Sequence, residues 1–173
     1  MKHIIETERL ILRNFSLDDA QNLYDLNLDP DVLKYTGDRA FDSVNSARTF
    51  LKNYVDYKEN GYGRWAVIKK DTDRFIGWCG LKFNEENLID VGFRIFRKEW
   101  NKGYATESAK ASIQYGFETL QLNEIIARVS AQNKSSLRVI EKLKMVFWKY
   151  DYCSGIENAM YFRMNKNNYD PLV

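Results

Sequence analysis

The stretch "DVGFRIFRKEWNKGYATESAKASIQYGF" (residues 90–117) decides how this chain is read. Its opening alternates. With Ile89 just before it, Val91, Phe93 and Ile95 share one face of an extended segment, while Asp90, Gly92 and Arg94 share the other. An acid, a glycine and an arginine on one face do not look like core. From Tyr104 onward the period changes. Ala105, Ala109, Ser112, Ile113, Gly116 and Phe117 form one helical stripe, with Glu107, Lys110 and Gln114 elsewhere. Between strand and helix stands Gly103. A glycine there permits a positive-φ turn and close approach of a ligand, and the amides of 102–106 are the free donors of a helix start. Such a start holds phosphate oxygens through N–H groups and the helix dipole, and Lys98 or Lys102 can add charge. The same residues also serve as a plain strand-to-helix turn with a solvated lysine. On spacing alone the plain turn is the favoured reading, because short glycine motifs have high false-positive rates.

Outward from this unit, the chain supplies the rest of one domain, 1–173, a length that suits a single core. Hydrophobic residues at 45% and aromatics at 14% are enough to fill it. "TERLILRNF" (7–15) reads as a strand. Ser16 caps a helix to about residue 28, with Asp18 and Asp19 in its first turn, where acids suit the dipole. Residues 29–42 read as a polar connection with one short helical turn. Ser43 caps a second helix whose apolar face is Ala47, Phe50, Leu51, Tyr54 and Val55. Strands over 64–69, 74–83 and 88–95 follow, joined by hairpin-length turns. A helix over 104–120, a strand over 124–130, a helix over 135–143 and strands over 147–153 and 158–164 complete the chain. The fold class is therefore α+β (mixed α/β): a central twisted mixed sheet of about seven strands flanked by about four helices. The stretch 90–117 opens a β-α-β unit, and its turn is where ligands sit in such sheets.

Several function classes drop out. A net charge of +2, with Lys and Arg scattered, gives no footprint for nucleic acid. No apolar run approaches the roughly 20 residues of a membrane helix, so no membrane partner is expected. "MKHIIETERL" has no secretory pattern, so the expected localisation is cytoplasmic, with Cys79 and Cys153 reduced and buried. His3, the single histidine, falls in an N-terminal tail and takes no role. With it goes any catalytic triad, and no metal site is expected. A nucleotide-binding phosphate loop is disfavoured because GxxxxGK[ST] is absent.

"TERLILR" (7–13), "DVGFRIFRKEWNKGYATESAKASIQYGFETLQLNEIIARVSAQNKSSLRVIEKL" (90–143) and the following "MVF" resemble the GNAT superfamily of acetyl-CoA-dependent N-acetyltransferases. The group most similar is the RimJ/RimL type, the ribosomal-protein alanine N-acetyltransferases. "KGYATES" paired with the later "NKSS" is the specific part. The resemblance implies acetyl-CoA as cosubstrate, with the diphosphate cradled by Asn101, Lys102, Gly103, Tyr104, Ala105 and Thr106. It implies that the backbone of Phe93 and Ile95 pairs with the pantetheine arm, that Asn133 hydrogen-bonds that arm, and that Ser136 lies near the thioester sulfur. Two departures stand out. Trp100 replaces the Gln or Arg that often begins the diphosphate signature, which puts that side-chain contact in doubt. Lys144 occupies a position where the family favours glycine, and a lysine in a left-handed C-cap costs about 1 kcal/mol.

Amide formation from a thioester needs a neutral amine. A lysine amine (pKa about 10.4) is harder to deprotonate than an α-amine (about 7.7–8.0). Asp90 is the candidate base; its alternative is a surface partner for Arg94. A strand amide near Ile95 can serve the oxyanion. Ser136 can return a proton to the departing thiolate, or be an ordinary helix-start serine. Cys79 shares an apolar face with Gly77, Leu81 and Phe83, and a buried neutral thiol is a poor nucleophile. Transfer is therefore expected in a ternary complex. The loop 29–42 and the turn 84–87 are expected to wall the amine side with an acidic rim of Asp29, Asp31, Asp38, Asp42, Glu85 and Glu86. The acceptor is expected to be a protein N-terminal α-amine, the alternatives being a polyamine or amino sugar, or a non-catalytic acyl-CoA-binding module. The chain acts as a monomer or homodimer.

Overall fold

In the computed structural model, which describes residues 3–153 and 155–171, eight strands form one mixed sheet in the order β1-β2-β3-β4-β5-β6-β8-β7. The strands are β1 (His3–Glu6), β2 (Leu10–Arg13), β3 (Arg64–Lys69), β4 (Arg74–Phe83), β5 (Ile89–Ile95), β6 (Glu124–Val129), β7 (Val146–Cys153) and β8 (Ile156–Asn165). The helices are α1 (Ala20–Leu28), α2 (Pro30–Leu33), α3 (Val44–Lys52), α4 (Asp56–Glu59), α5 (Tyr104–Glu118) and α6 (Lys134–Lys142). Every neighbouring pair of strands is antiparallel except β5 and β6. No helix among the described residues is long and apolar enough to cross a membrane.

Alternation places the core on both faces. Leu10, Leu12, Trp65, Val67, Cys79, Leu81, Val91, Ile125 and Ala127 join Ala109, Ile113 and Phe117 of α5 and Ile140 of α6 on one side. On the other, Ala66, Ile68 and Phe75 pack against Leu23 and Leu26 of α1, Val32 of α2, and Ala47 and Leu51 of α3. Central strands covered on both faces account for the long apolar runs in β3 and β4.

Four expectations change. The single strand over 7–15 is the second half of a hairpin, so His3 lies in an edge strand rather than a tail. Thr7 makes the turn: its N–H donates to Leu10 O and its hydroxyl oxygen accepts from Leu10 N–H, each at 2.9 Å. This pair adds the eighth strand. Second, Asp19 does not simply face a helix dipole. It is buried, takes both terminal nitrogens of Arg13 at 2.8 Å, and accepts from Ser16 N–H, behind a short 3-10 turn that precedes α1. Third, α3 stops at Lys52, where Asn53 N–H bonds back to the carbonyls of Thr49 and Phe50. Tyr54 and Val55 are thus outside the helix, and Phe50 and Val55 are exposed. Fourth, a single-turn helix, α4, joins the four expected, and the short helical turn expected within 29–42 is α2. Lys144 does adopt the left-handed conformation (φ 57°) beyond α6.

The N-terminal hairpin is tied to α5 by one carboxylate. Glu107 Oε1 accepts from Thr7 Oγ1 (2.6 Å) and Arg9 N–H (3.0 Å), and Oε2 accepts from Arg9 Nε (2.7 Å). Burial works to raise the Glu107 carboxyl pKa, but the bonds from Thr7 and Arg9 outweigh it and hold it below the ordinary value. A depressed carboxyl stabilises the fold above its unfolded-state pKa, and that contribution is lost as pH falls through the folded value. Glu107→Gln should therefore lower Tm at pH 7 by a few degrees, from about 1 kcal/mol at about 2–4 °C per kcal/mol. Thermal melts across pH should show the gap closing below about pH 4.5, the ordinary carboxyl range.

Candidate active site

β5 and β6 share a single parallel register pair, Asp90 with Ile126, and diverge beyond it. The gap opens toward the carboxyl ends of both strands, at the starts of the helices that follow them, α5 and α6. Phe96 N–H donates to Ile76 O (2.9 Å) on the β4 side. By alternation, the N–H and C=O of Phe93 and Ile95 then face the gap. Trp100 Nε1 donates to Ile95 O at 2.7 Å, which explains a tryptophan at this position: it braces the end of β5. A cavity of about 700 Å³ passes through the gap, lined there by Val91, Phe93, Ala127 and Val129. Asn133 and Ser136 of the β6–α6 turn line it as well. Asn133 Oδ1 caps α6 by accepting from Ser136 N–H (3.0 Å), leaving its amide nitrogen as the donor end.

Just past β5, Asn101 (φ 60°) and Gly103 (φ 85°) are both left-handed. Glu107 N–H is the first donor bonded back into the helix, to Gly103 O (2.9 Å), so the N–H groups of Tyr104, Ala105 and Thr106 have no helical acceptor and point out of the start of α5. An added Cβ at Gly103 would meet only Arg9 Nη2, at 3.2 Å. The backbone angle therefore demands glycine here, more than space does. Lys102 does not present its charge to this turn, since its ammonium is folded onto Lys98 O (2.8 Å) and Glu99 Oε2 (2.9 Å). Arg9, from the hairpin turn, stands there instead and donates to Lys102 O at 3.0 Å. Nothing in the local pattern of "TERL" signals this, because the contact depends on the hairpin docking on α5.

On the opposite face of the sheet lies a polar floor. Asp90 is buried and does not pair with Arg94. Its Oδ1 accepts from Arg64 Nη2, and its Oδ2 from Arg128 Nε (3.2 Å) and Nη2 (3.1 Å). Arg64, Gly80 and Gly92 form one row across β3, β4 and β5. A Cβ on Gly92 would come within 2.7 Å of Arg64 Nη2, so Gly92 is the groove through which Arg64 reaches Asp90. The backbone of Arg64 is pinned in turn: its N–H donates to Tyr54 Oη (2.7 Å), and its carbonyl accepts from Tyr57 Oη. Burial pushes both phenols up, so both stay neutral, Tyr54 accepting from Arg64 and Tyr57 donating to it. Burial disfavours the Arg128 cation, yet Asp90 and Glu85 more than compensate and raise its pKa. Sequence reasoning missed Arg64, Arg128, Tyr54 and Tyr57. The one signal was a charge interrupting each of the apolar strands "RWAVIK" and "EIIARV", and only register shows that both charges aim at Asp90.

Five of the six acids expected in the rim are instead paired with cations among the described residues, Asp42 being the exception. Asp29 and Asp31 pair with Arg97, Asp38 with Arg94, Glu85 with Arg128, and Glu86 with Lys149. The cavity is lined by five cationic side chains, Arg39, Lys82, Arg64, Arg94 and Arg128, against three carboxylates, Asp38, Glu85 and Asp90. Its outer wall is aromatic, with Phe41, Phe50 and Tyr54 in sequential ring contact at 5.7 Å. Cys79 lies elsewhere, fully buried against α5 with Sγ 3.5 Å from Ser112 Oγ, and burial raises its pKa. Cys153 is buried at the cleft. Among the described residues, no group of three or more His, Cys, Asp and Glu side chains could hold a metal ion.

Residues 9–146 match the family described as Acetyltransferase (GNAT) domain. N-acetyltransferase p20 of Bacillus licheniformis is 36% identical over 140 residues, 79% of each chain. A GNAT-family acetyltransferase structure from Bacillus anthracis superposes with a TM-score of 0.78 at 30% identity, covering 94% of this chain and 98% of that one. A spermidine N-acetyltransferase from Vibrio cholerae, solved with CoA and spermine, has the same fold (TM-score 0.78, 94% and 98% covered) at 16% identity.

Removing the charge of Asp90 leaves two guanidiniums facing each other. Asp90→Asn should cost about 3 kcal/mol or more of stability, a drop in Tm of roughly 6–12 °C, read by calorimetry. A smaller loss than that of Glu107→Gln would show that Arg64 and Arg128 do not depend on it.

Proposed function

Because the chain belongs to the GNAT family of acetyltransferases, we propose that it moves an acetyl group from acetyl-CoA directly to an α-amine, that of a protein or peptide N-terminus or of an amino-acid-like molecule. The observation that carries this reading is the cleft through the sheet, with a backbone edge on the α6 side and a cationic, aromatic-walled chamber on the other. The residues fit the cosubstrate. The left-handed Gly103 turn and the N–H groups of Asn101 to Thr106 suit a diphosphate. The N–H and C=O of Phe93 suit the amides of an extended arm, as does the Ile95 N–H, the Ile95 carbonyl being held by Trp100. Asn133 offers its amide nitrogen to the same arm. When bound, acetyl-CoA supplies an activated thioester carbonyl.

The remaining chemistry falls to the chain's own groups. Ser136 holds a hydroxyl proton at the cleft wall and is assigned as donor to the leaving thiolate. Asp90 keeps both oxygens on guanidiniums, so it would have to release one before taking a proton. Its role in this reading is positioning: it holds the floor of the chamber beside the acceptor. An α-amine (pKa about 7.7–8.0) has a usable neutral fraction near pH 7.5 and needs no dedicated base, unlike an amine of pKa about 10.4. The excess of cations lining the chamber also argues against a polyamine.

Three measurements test the reading. Gly103→Asp should weaken CoA binding by about tenfold or more, since it adds a charge and a side chain at positive φ. Unchanged affinity by calorimetry would misplace the diphosphate. Replacing Cys79 and Cys153 together by Ala should retain turnover, and an acetylated cysteine on the kinetic path would overturn direct transfer. In Asp90→Asn, kcat/KM should keep the wild-type pH profile and follow amine ionisation. A loss confined to low pH would return Asp90 to the role of base.

A further inference from the structure

We propose that the acceptor carries an anionic group on the same molecule as its amine, and that Arg94 binds that group in place of Asp38. The proposal rests on the reading of this chamber as the acceptor site. It starts from an incomplete guanidinium. Arg94 projects from β5 on the same face as Asp90, with 8% of its surface exposed, and lines the cavity. Its Nη1 donates to Asn27 Oδ1 of α1 at 2.7 Å, and its Nη2 to Asp38 Oδ2. Its Nε is buried and has no hydrogen-bond partner. Nε and Nη2 form one edge of the guanidinium fork, the edge a carboxylate grips with both oxygens at once. Asp38 occupies half of that edge and leaves the other half empty.

The present occupant is poorly held. Asp38 belongs to no helix or strand, and its side chain is 56% exposed. The other arginines facing the chamber cannot serve, because Arg64 and Arg128 are satisfied by Asp90 and Glu85. Arg39, adjacent to Asp38, is exposed, lines the same cavity, and has no ion pair or hydrogen bond among the described residues. A ligand carboxylate can take both Nε and Nη2 of Arg94 with Arg39 beside it, releasing Asp38 to solvent. The Arg94 guanidinium also lies over the Trp78 ring, 5.2 Å from its centroid, which fixes the plane of the fork. Phe41 and Phe50 then meet the apolar body of the acceptor. Two sources offer this chemistry: the carboxylate of an amino acid or short peptide, and an acidic second side chain at a protein N-terminus.

The test uses the full chain with acetyl-CoA and three acceptor pairs: phenylalanine against phenylalaninamide, phenylalanylalanine against its amide, and a C-terminally amidated tetrapeptide with glutamate or glutamine second. Comparing kcat/KM, corrected for each acceptor's neutral-amine fraction, the anionic member should win by about tenfold or more in at least one pair. A win in the first or second pair points to a carboxylate terminus, and a win in the third to an acidic side chain. Arg94→Gln should bring that preference within about twofold. Asp38→Ala, which leaves the core untouched, should raise kcat/KM for the anionic member at least threefold, through KM. Calorimetry of the same pairs on the CoA-loaded protein should give the same preference in Kd and reads the proposal independently of turnover. Equal use and equal binding within every pair, or a preference that survives Arg94→Gln, overturns it. No transfer to any amine, spermidine included, with the binding preference intact would instead sink the acyltransfer reading.

Discussion

The Asp90 carboxylate, held between Arg64 and Arg128, is the interaction on which the rest of the site depends. It sits at the last residue where β5 and β6 are paired. Beyond it, the two strands must separate for a ligand to enter, and separated strands leave backbone groups without partners. An ion triad on three strands, β3, β5 and β6, resists further unzipping at the point where the ladder ends. It is nearly buried, with side-chain exposures of 14%, 10% and 11% for Arg64, Asp90 and Arg128, so its energy lies in not being broken. Two tyrosines outside the sheet hold the backbone of Arg64, and the missing Cβ at Gly92 leaves room for its guanidinium over β5.

The fork also sorts the two ends of the cleft by chemistry. On the α6 side the cleft presents backbone edges and helix starts, which recognise amides and phosphate oxygens whatever the side chains are. On the side of α1 and α3 it presents fixed guanidiniums and aromatic rings, which read charge and shape. Of the six acids expected on that side, Asp29, Asp31, Asp38, Glu85 and Glu86 are matched to cations among the described residues and Asp42 is not. A rim that looks acidic along the chain becomes a cationic chamber once it folds, because most of the carboxylates pair with cations from other elements.

What the sequence by itself determined is what depends on near neighbours in the chain. The alternation of 89–95, the 3.6-residue stripe after Tyr104, and the glycine between them announced strand, turn and helix, since each is a local backbone preference. The left-handed Gly103 was legible for the same reason, and that of Lys144 through the family resemblance. That Phe93 and Ile95 share one parity follows from period two, but which parity faces the cleft is set by the Phe96 N–H to Ile76 O bond. Thr7 was misread because one hydroxyl bonding its own turn splits an apparently continuous strand into a hairpin, and a single threonine carries no such mark. Only the tertiary structure decided the partners. Asp90 meets arginines 26 and 38 positions away, not Arg94 in its own strand. Arg94 meets Asn27 of α1 and Asp38 of the loop before α3, and Arg9 rather than Lys102 stands at the start of α5. Long charged side chains reach across strands, so the sign of the field in a cleft is set by register and docking, which no local window of sequence contains.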